Sequence, residues 1–229
     1  MNYIVATLKP WNVDAFHKYS QRLDGNWYLI NKEIDLNIKT IKDISPKYIF
    51  FPHWSYLVNE KILSHSECIC FHATDLPFGR GGTPIQNLIS IGLTKTKLSA
   101  LKMTSSIDAG PVYLKTPLLL NGRAQDIYNR MSVLTWKMIA KIIKNEIQPK
   151  PQKGKVFNFK RKTPEQSKIT SKCTLKEIYD KIRMLDAETY PKAYINKNSL
   201  KLEFFESSLQ KNEIIAKVKI TKQINKSNK

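Results

Sequence analysis

The chain has 229 residues and a mass of 26.5 kDa, is 41% hydrophobic and carries a formal net charge of +19. That length supports one sizeable core with a small appendage. No apolar run approaches the ~20 residues of a membrane helix, no N-terminal secretory pattern is present, and three cysteines do not make a disulfide framework. These features predict a soluble, cytoplasmic protein with reduced thiols.

Tyr3–Leu8 reads as a first buried strand, and Pro10–Leu23 as a helix opened by proline, with Trp11, Val13, Phe16 and Tyr19 at helical spacing. Trp27–Ile30 follows as a strand, Asp35–Ile44 as a helix, Tyr48–Phe51 as a strand, Val58–Leu63 as a short helix and Cys68–His72 as a fourth strand. Such alternation predicts an α/β fold, a Rossmann-like, mostly parallel sheet flanked by helices. No GxGxxG follows the first strand, which argues against a dinucleotide site there.

A Gly/Pro-rich loop from Asp75 to Pro84 precedes a helix at Ile85–Ile91. Lys97–Thr104 and Val112–Leu120 read as strands joined by a turn at Asp108-Ala109-Gly110, and Gln125–Glu146 is the longest helix. Residues 151–172, rich in proline and lysine, form an irregular crossing segment between a catalytic domain at 1–150 and a small C-terminal extension at 173–229. The extension holds a helix at Leu175–Leu185 and strands at Ala193–Ile195, Leu200–Phe205 and Ile214–Ile220, and either covers the active site or builds a homodimer contact. Gln223–Lys229 is expected to fray.

Residues 150–229 hold 20 Lys+Arg against 8 Asp+Glu, or +12 of the total +19. The excess is mostly lysine, which suits a solvated surface first and an anionic ligand second. No recognisable nucleic-acid module accompanies it.

Ligands of open parallel sheets lie beyond the carboxyl ends of the strands. His72 ends the fourth strand, and Asp108 sits in the turn that follows the fifth. A carboxylate beside an imidazole orients the ring and supports its charged form, which suits proton handling near neutral pH. Cys68, Cys70 and His72 share one strand face and are zinc-ligand types, but ligands two apart on a straight strand rarely converge.

The string His72-x-Thr74-x-Leu76-Pro77, then Gly79-Arg80-Gly81, Pro84-Ile85-Gln86 and Asp108-Ala109-Gly110-Pro111 resembles the formyltransferase family, which includes methionyl-tRNA and sugar N-formyltransferases. Phe159–Glu165 and Ile182–Ala187 resemble segments of its sugar-modifying members. The resemblance implies N10-formyltetrahydrofolate as cosubstrate, with no metal, and a tetrahedral oxyanion formed when an amine attacks the formyl carbon. It makes His72 the residue that donates to that oxyanion or accepts the amine proton, and Asp108 the residue that holds it. Cys70 stands where the family has asparagine, and a thiol is a poor donor there.

By the same resemblance the pterin would lie along Trp54, Ser55, Tyr56, Leu57 and Val58, bounded by Leu76, Pro77, Ser105, Ser106 and Asp108. Thr74, Asp75, Gly79, Arg80, Gln86 and Lys102 would face the acceptor. The short C-terminal region, read as lacking the barrel of methionyl-tRNA formyltransferases, points to a nucleotide-linked amino sugar of pseudaminic-type surface glycan pathways, such as a UDP-4-amino-4,6-dideoxy hexose. It points away from nucleic acid. The alternatives are a methionyl-tRNA formyltransferase-like enzyme and a degenerate folate-binding or RNA-binding member.

Overall fold

The structure, a computed structural model, describes residues 1–223; of the C-terminal stretch expected to fray, residues 224–229 lie outside it. Two compact units are present. One comprises residues 1–84, 95–119 and 128–159, and the other residues 85–94, 120–127 and 160–229.

The first unit is built on a six-stranded sheet in the order β2-β1-β3-β4-β6-β7, formed by Asn2–Ala6 (β1), Asn26–Ile30 (β2), Tyr48–Pro52 (β3), Glu67–His72 (β4), Lys95–Lys102 (β6) and Val112–Leu119 (β7). β2, β1, β3 and β4 pair in parallel. All five residues of β3 are buried, as expected for a parallel strand covered on both faces. On one face, Ile4, Ala6, Ile49, Phe51 and Cys68 pack with Ile41 and Ile62. These come from helices Ile38–Ile44 (α2) and Glu60–His65 (α3), whose caps are Asn37, accepting from Thr40 N, and Asn59, accepting from Lys61 N. On the other face, Phe50 packs near Phe71 and Trp27, and Trp27 near Trp136 of the long helix Ala124–Asn145 (α5). The helix Pro10–Tyr19 (α1) starts on its proline, which fits a position whose N–H would have no partner.

β6 pairs antiparallel with β4, and β7 antiparallel with β6, within a sheet that the alternation predicts as mostly parallel. The glycine-rich loop and the crossing segment each contain a strand the sequence pattern did not reveal. Phe78–Gly81 (β5) pairs in parallel with Phe157–Phe159 (β8), and Phe78 stacks on Phe157 at 5.3 Å.

The second unit contains most of the helix Pro84–Ser90 (α4), the helix Leu175–Arg183 (α6) and an antiparallel sheet β11-β10-β9, from Ala193–Lys197 (β9), Leu200–Leu209 (β10) and Ile214–Lys222 (β11). Thr174 and Glu177 close a capping box at the start of α6.

His53, just after β3, holds a left-handed φ of 57° with its ring edge-on to Trp11 at 5.5 Å and Tyr128 at 4.8 Å. Burial, aided by the charge of Lys9, pushes its imidazole down to about 3. In the unfolded chain it returns to about 6.5. Between those values only the unfolded state binds the proton, so the stability His53 contributes is complete above about pH 6.5 and is lost as pH falls toward 3. His53→Asn removes the titration and keeps a residue that tolerates left-handed backbone. Its urea midpoint should drop less than that of the wild type between pH 7 and pH 4; equal drops would refute the assignment.

Candidate functional site

The site grows from the carboxyl end of β4. His72 is buried at 8% exposure, and both ring nitrogens face oxygen. Nε2 lies 2.7 Å from the Gly79 carbonyl, and Nδ1 lies 3.4 Å from Asp108 Oδ2. A carbonyl oxygen only accepts, so Nε2 carries a hydrogen in this arrangement. The same Asp108 oxygen accepts from the Gly81 backbone N–H at 2.9 Å. Asp108 holds a left-handed φ of 52°, rare for a residue with a side chain.

Glycine is required on both sides of Arg80. Gly79 and Gly81 have φ of 77° and 100°, and an added Cβ would lie 2.6 Å from the Phe159 ring at Gly79 and 2.6 Å from the Phe159 carbonyl at Gly81. Gly110, after the Asp108 turn, is equally tight, since a Cβ there would meet the Lys102 carbonyl at 1.8 Å.

Gln152 joins these pieces. Its Oε1 accepts from Arg80 Nε at 3.2 Å and Nη2 at 2.9 Å, while its Nε2 donates to the carbonyls of Asp108 and Gly110, each at 2.8 Å. The sequence reading missed this residue. It lies 72 positions from Arg80 and 44 from Asp108, and only the change of character after residue 146 hinted that this segment had a task.

Cys70 lies two residues before His72 on the same strand. Burial, reinforced by the Asp108 charge, pushes its thiol far up, and burial takes Cys68 up to about 12. Both stay protonated and are poor nucleophiles or metal ligands. Among the described residues no three His, Cys, Asp or Glu side chains group as a metal site requires.

Thr74 is fully buried, and its hydroxyl has no partner among the described residues. Asp75 is held by Lys115 at 2.6 Å and Lys97 at 3.0 Å. Burial raises its carboxyl, but the two ammonium groups outweigh burial and leave it below its ordinary value. Leu76 is buried and joins Pro77 through a cis peptide bond. Lys102 pairs with Glu67 at 3.4 Å, at the end of β4 opposite His72. Gln86 belongs to the second unit, where its buried amide donates to the Met184 carbonyl at 3.0 Å.

Beyond β3, residues 53–59 leave the sheet. The Trp54 ring lies edge-on to Phe51 at 5.9 Å and Tyr56 at 6.0 Å, and its buried Nε1 has no partner among the described residues. Ser55 and Leu57 are exposed and Tyr56 half-exposed, while Val58 is buried. Ser105 and Ser106 are exposed beside Ile107, with the Ser106 carbonyl accepting from Thr104 Oγ1 and Ala109 N. An unpaired indole N–H, exposed apolar side chains and backbone groups outside any ladder suit a flat, polar-edged heterocycle.

Four likenesses bear on this geometry. The family model described as methionyl-tRNA formyltransferase, C-terminal domain, matches residues 164–221. A solved structure, a methionyl-tRNA formyltransferase from Clostridium thermocellum, is 41% identical with a TM-score of 0.95, covering 97% of this chain and 99% of that one. A methionyl-tRNA formyltransferase of Sinorhizobium medicae (strain WSM419) is 30% identical over 180 residues, 74% of this chain and 58% of the relative. The chain spans about half the length of the curated relatives it matches. A sugar N-formyltransferase from Shewanella sp. FDAARGOS_354 shares the fold alone, at 17% identity and a TM-score of 0.69.

Two expectations are thereby corrected. The nucleotide-linked amino sugar as acceptor, and with it the exclusion of nucleic acid as a partner, are overturned by the 41% identity across nearly the whole chain to a methionyl-tRNA formyltransferase and by the curated relatives of the same name. The short C-terminal region does not speak against this, because the stretch 164–221 matches the family's C-terminal pattern with one α-helix and three strands.

Proposed function

The chain belongs to the formyltransferase family that includes methionyl-tRNA formyltransferases, and on that premise we propose that it transfers a formyl group from N10-formyltetrahydrofolate to the amine of methionyl-tRNA in the cytoplasm. The observation that carries this reading is the 41% identity to a methionyl-tRNA formyltransferase over 97% of the chain. The charge agrees with it, because +12 of the +19 lies in residues 150–229 and RNA binding draws on lysines that displace counterions.

The segment Trp54–Val58, with the unpaired Trp54 indole and the exposed Tyr56 and Leu57, would hold the pterin, with Leu76, Pro77, Ser105 and Ser106 around it. The donor supplies an activated formyl carbon. His72 serves as a hydrogen-bond donor rather than as the resting base, since Nε2 already directs a hydrogen at an oxygen, the Gly79 carbonyl. A formyl oxygen gaining charge would compete for that hydrogen and be stabilised by it. Asp108 holds the opposite nitrogen and is itself held by Gly81 N–H. Arg80 and Thr74, beside this pair, would face the acceptor. The neutral, partly buried thiol of Cys70 packs under the site without reacting.

The test is a mass-spectrometric assay with N10-formyltetrahydrofolate and methionyl-tRNA, with free methionine as a control. A formyl mass gain on methionyl-tRNA, weakening as salt rises, is expected. No gain on methionyl-tRNA, from protein shown to be folded, would sink the proposal.

A further inference from the structure

We infer that Gln152 is a positioning residue that clamps the Asp108 turn to the Arg80 strand, and so sets the geometry of His72 and of the acceptor side together. The inference rests on the reading of His72 and Asp108 as the formyl-transfer pair. Among the described residues the four side-chain hydrogen bonds of Gln152 end on the site, two from Arg80 and two on the carbonyls of Asp108 and Gly110. The partners settle the orientation of the amide, since a guanidinium needs an acceptor and the carbonyls need a donor. Only a carboxamide does both at once. Glutamate only accepts, and leucine does neither.

The clamp has work to do. A non-glycine residue keeps a left-handed backbone only where its surroundings over-determine it, and Asp108 sits at a φ of 52°. Its carboxylate is tied to Gly81 and its carbonyl to Gln152, so the turn is held at both ends of the residue. On the other side, two bonds to one oxygen fix the plane of the Arg80 guanidinium and aim its remaining edge. Gln152 itself follows Lys150, which is bridged to Val112 at the start of β7, so the clamp is mounted on the sheet.

Gln152→Leu and Gln152→Glu separate the two halves. The leucine variant loses both, and kcat with N10-formyltetrahydrofolate and methionyl-tRNA should fall about 10- to 100-fold while KM for methionyl-tRNA rises about tenfold. The glutamate variant keeps the Arg80 contact but not the donors, so kcat should fall similarly with KM within about twofold of wild type. A side chain that served only stability would not split the constants in this way. Amide exchange at Gly81, whose N–H depends on Asp108 staying in place, should speed up at least about tenfold in both variants. Wild-type kcat and KM in Gln152→Leu, or unchanged exchange at Gly81, would overturn the inference. If Gln152→Leu does not fold, Gln152→Glu alone decides. If the wild-type protein formylates nothing, the functional reading fails, and exchange at Gly81 still decides whether the clamp exists.

Discussion

Replacing His72 with alanine is expected to lower kcat for formyl transfer by about 10²- to 10³-fold, the range seen when a preorganised oxyanion donor is removed. The side chain is buried, anchored at both nitrogens, and presents a hydrogen at a position 2.7 Å from an oxygen. The Cys70 thiol on the same strand is a weak donor and would not replace it. Asp108→Ala is expected to cost a comparable factor by a different route, freeing the imidazole and leaving the Gly81 N–H without its acceptor. Asp108→Asn keeps an acceptor for Gly81 and removes the charge, so its loss measures the electrostatic part. Single-turnover rates at saturating methionyl-tRNA, with circular dichroism to verify folding, are the measurement. Near wild-type turnover in His72→Ala would mean that the site has been placed wrongly.

The second large effect is on stability. Arg183→Ala is expected to destabilise the second unit by about 3–5 kcal/mol, the cost of breaking a buried ion pair. Arg183 and Asp180 are 7% and 8% exposed. Arg183 Nε donates to Asp180 Oδ1 at 2.6 Å, and Nη1 donates to the carbonyls of Leu120 at 2.6 Å and Gly122 at 3.1 Å. Truncation leaves a buried carboxylate whose remaining ion-pair partner among the described residues is the exposed Lys176, and two carbonyls without this donor. Urea unfolding at pH 7 reads the loss. A change below about 1 kcal/mol would place the pair in the class of surface ion pairs, which contribute little.

The strands β1, β3 and β4 were legible because parallel strands buried on both faces are continuous apolar runs, and Tyr48–Phe51 and Cys68–His72 are such runs. The helices were legible from their 3.6-residue spacing, less so at their ends, where Asp35–Ile44 gave a helix only from Ile38. β5 and β8 were invisible. Each is three or four residues long, interrupted by glycine or asparagine, and holds only because the other is beside it. The antiparallel direction of β6 left no mark in the sequence, because a helix before a strand usually signals a parallel crossover.

By itself the sequence determined the layered α/β core, the placement of His72 at a strand end and of Asp108 in a turn, and the formyltransferase resemblance. All of these rest on patterns repeating within a few residues or on motifs that survive as strings. The tertiary structure alone decided that His72 Nε2 is a donor, that Lys102 belongs to Glu67 and Gln86 to Met184, that Arg183 is a buried strut, and that Gln152 ties Arg80 to Asp108. Apart from the His72–Gly79 contact, seven positions apart, those assignments depend on hydrogen bonds between residues 35 to 98 positions apart. Such bonds form only after the apolar core has brought the chain segments together, and they leave no period in the sequence.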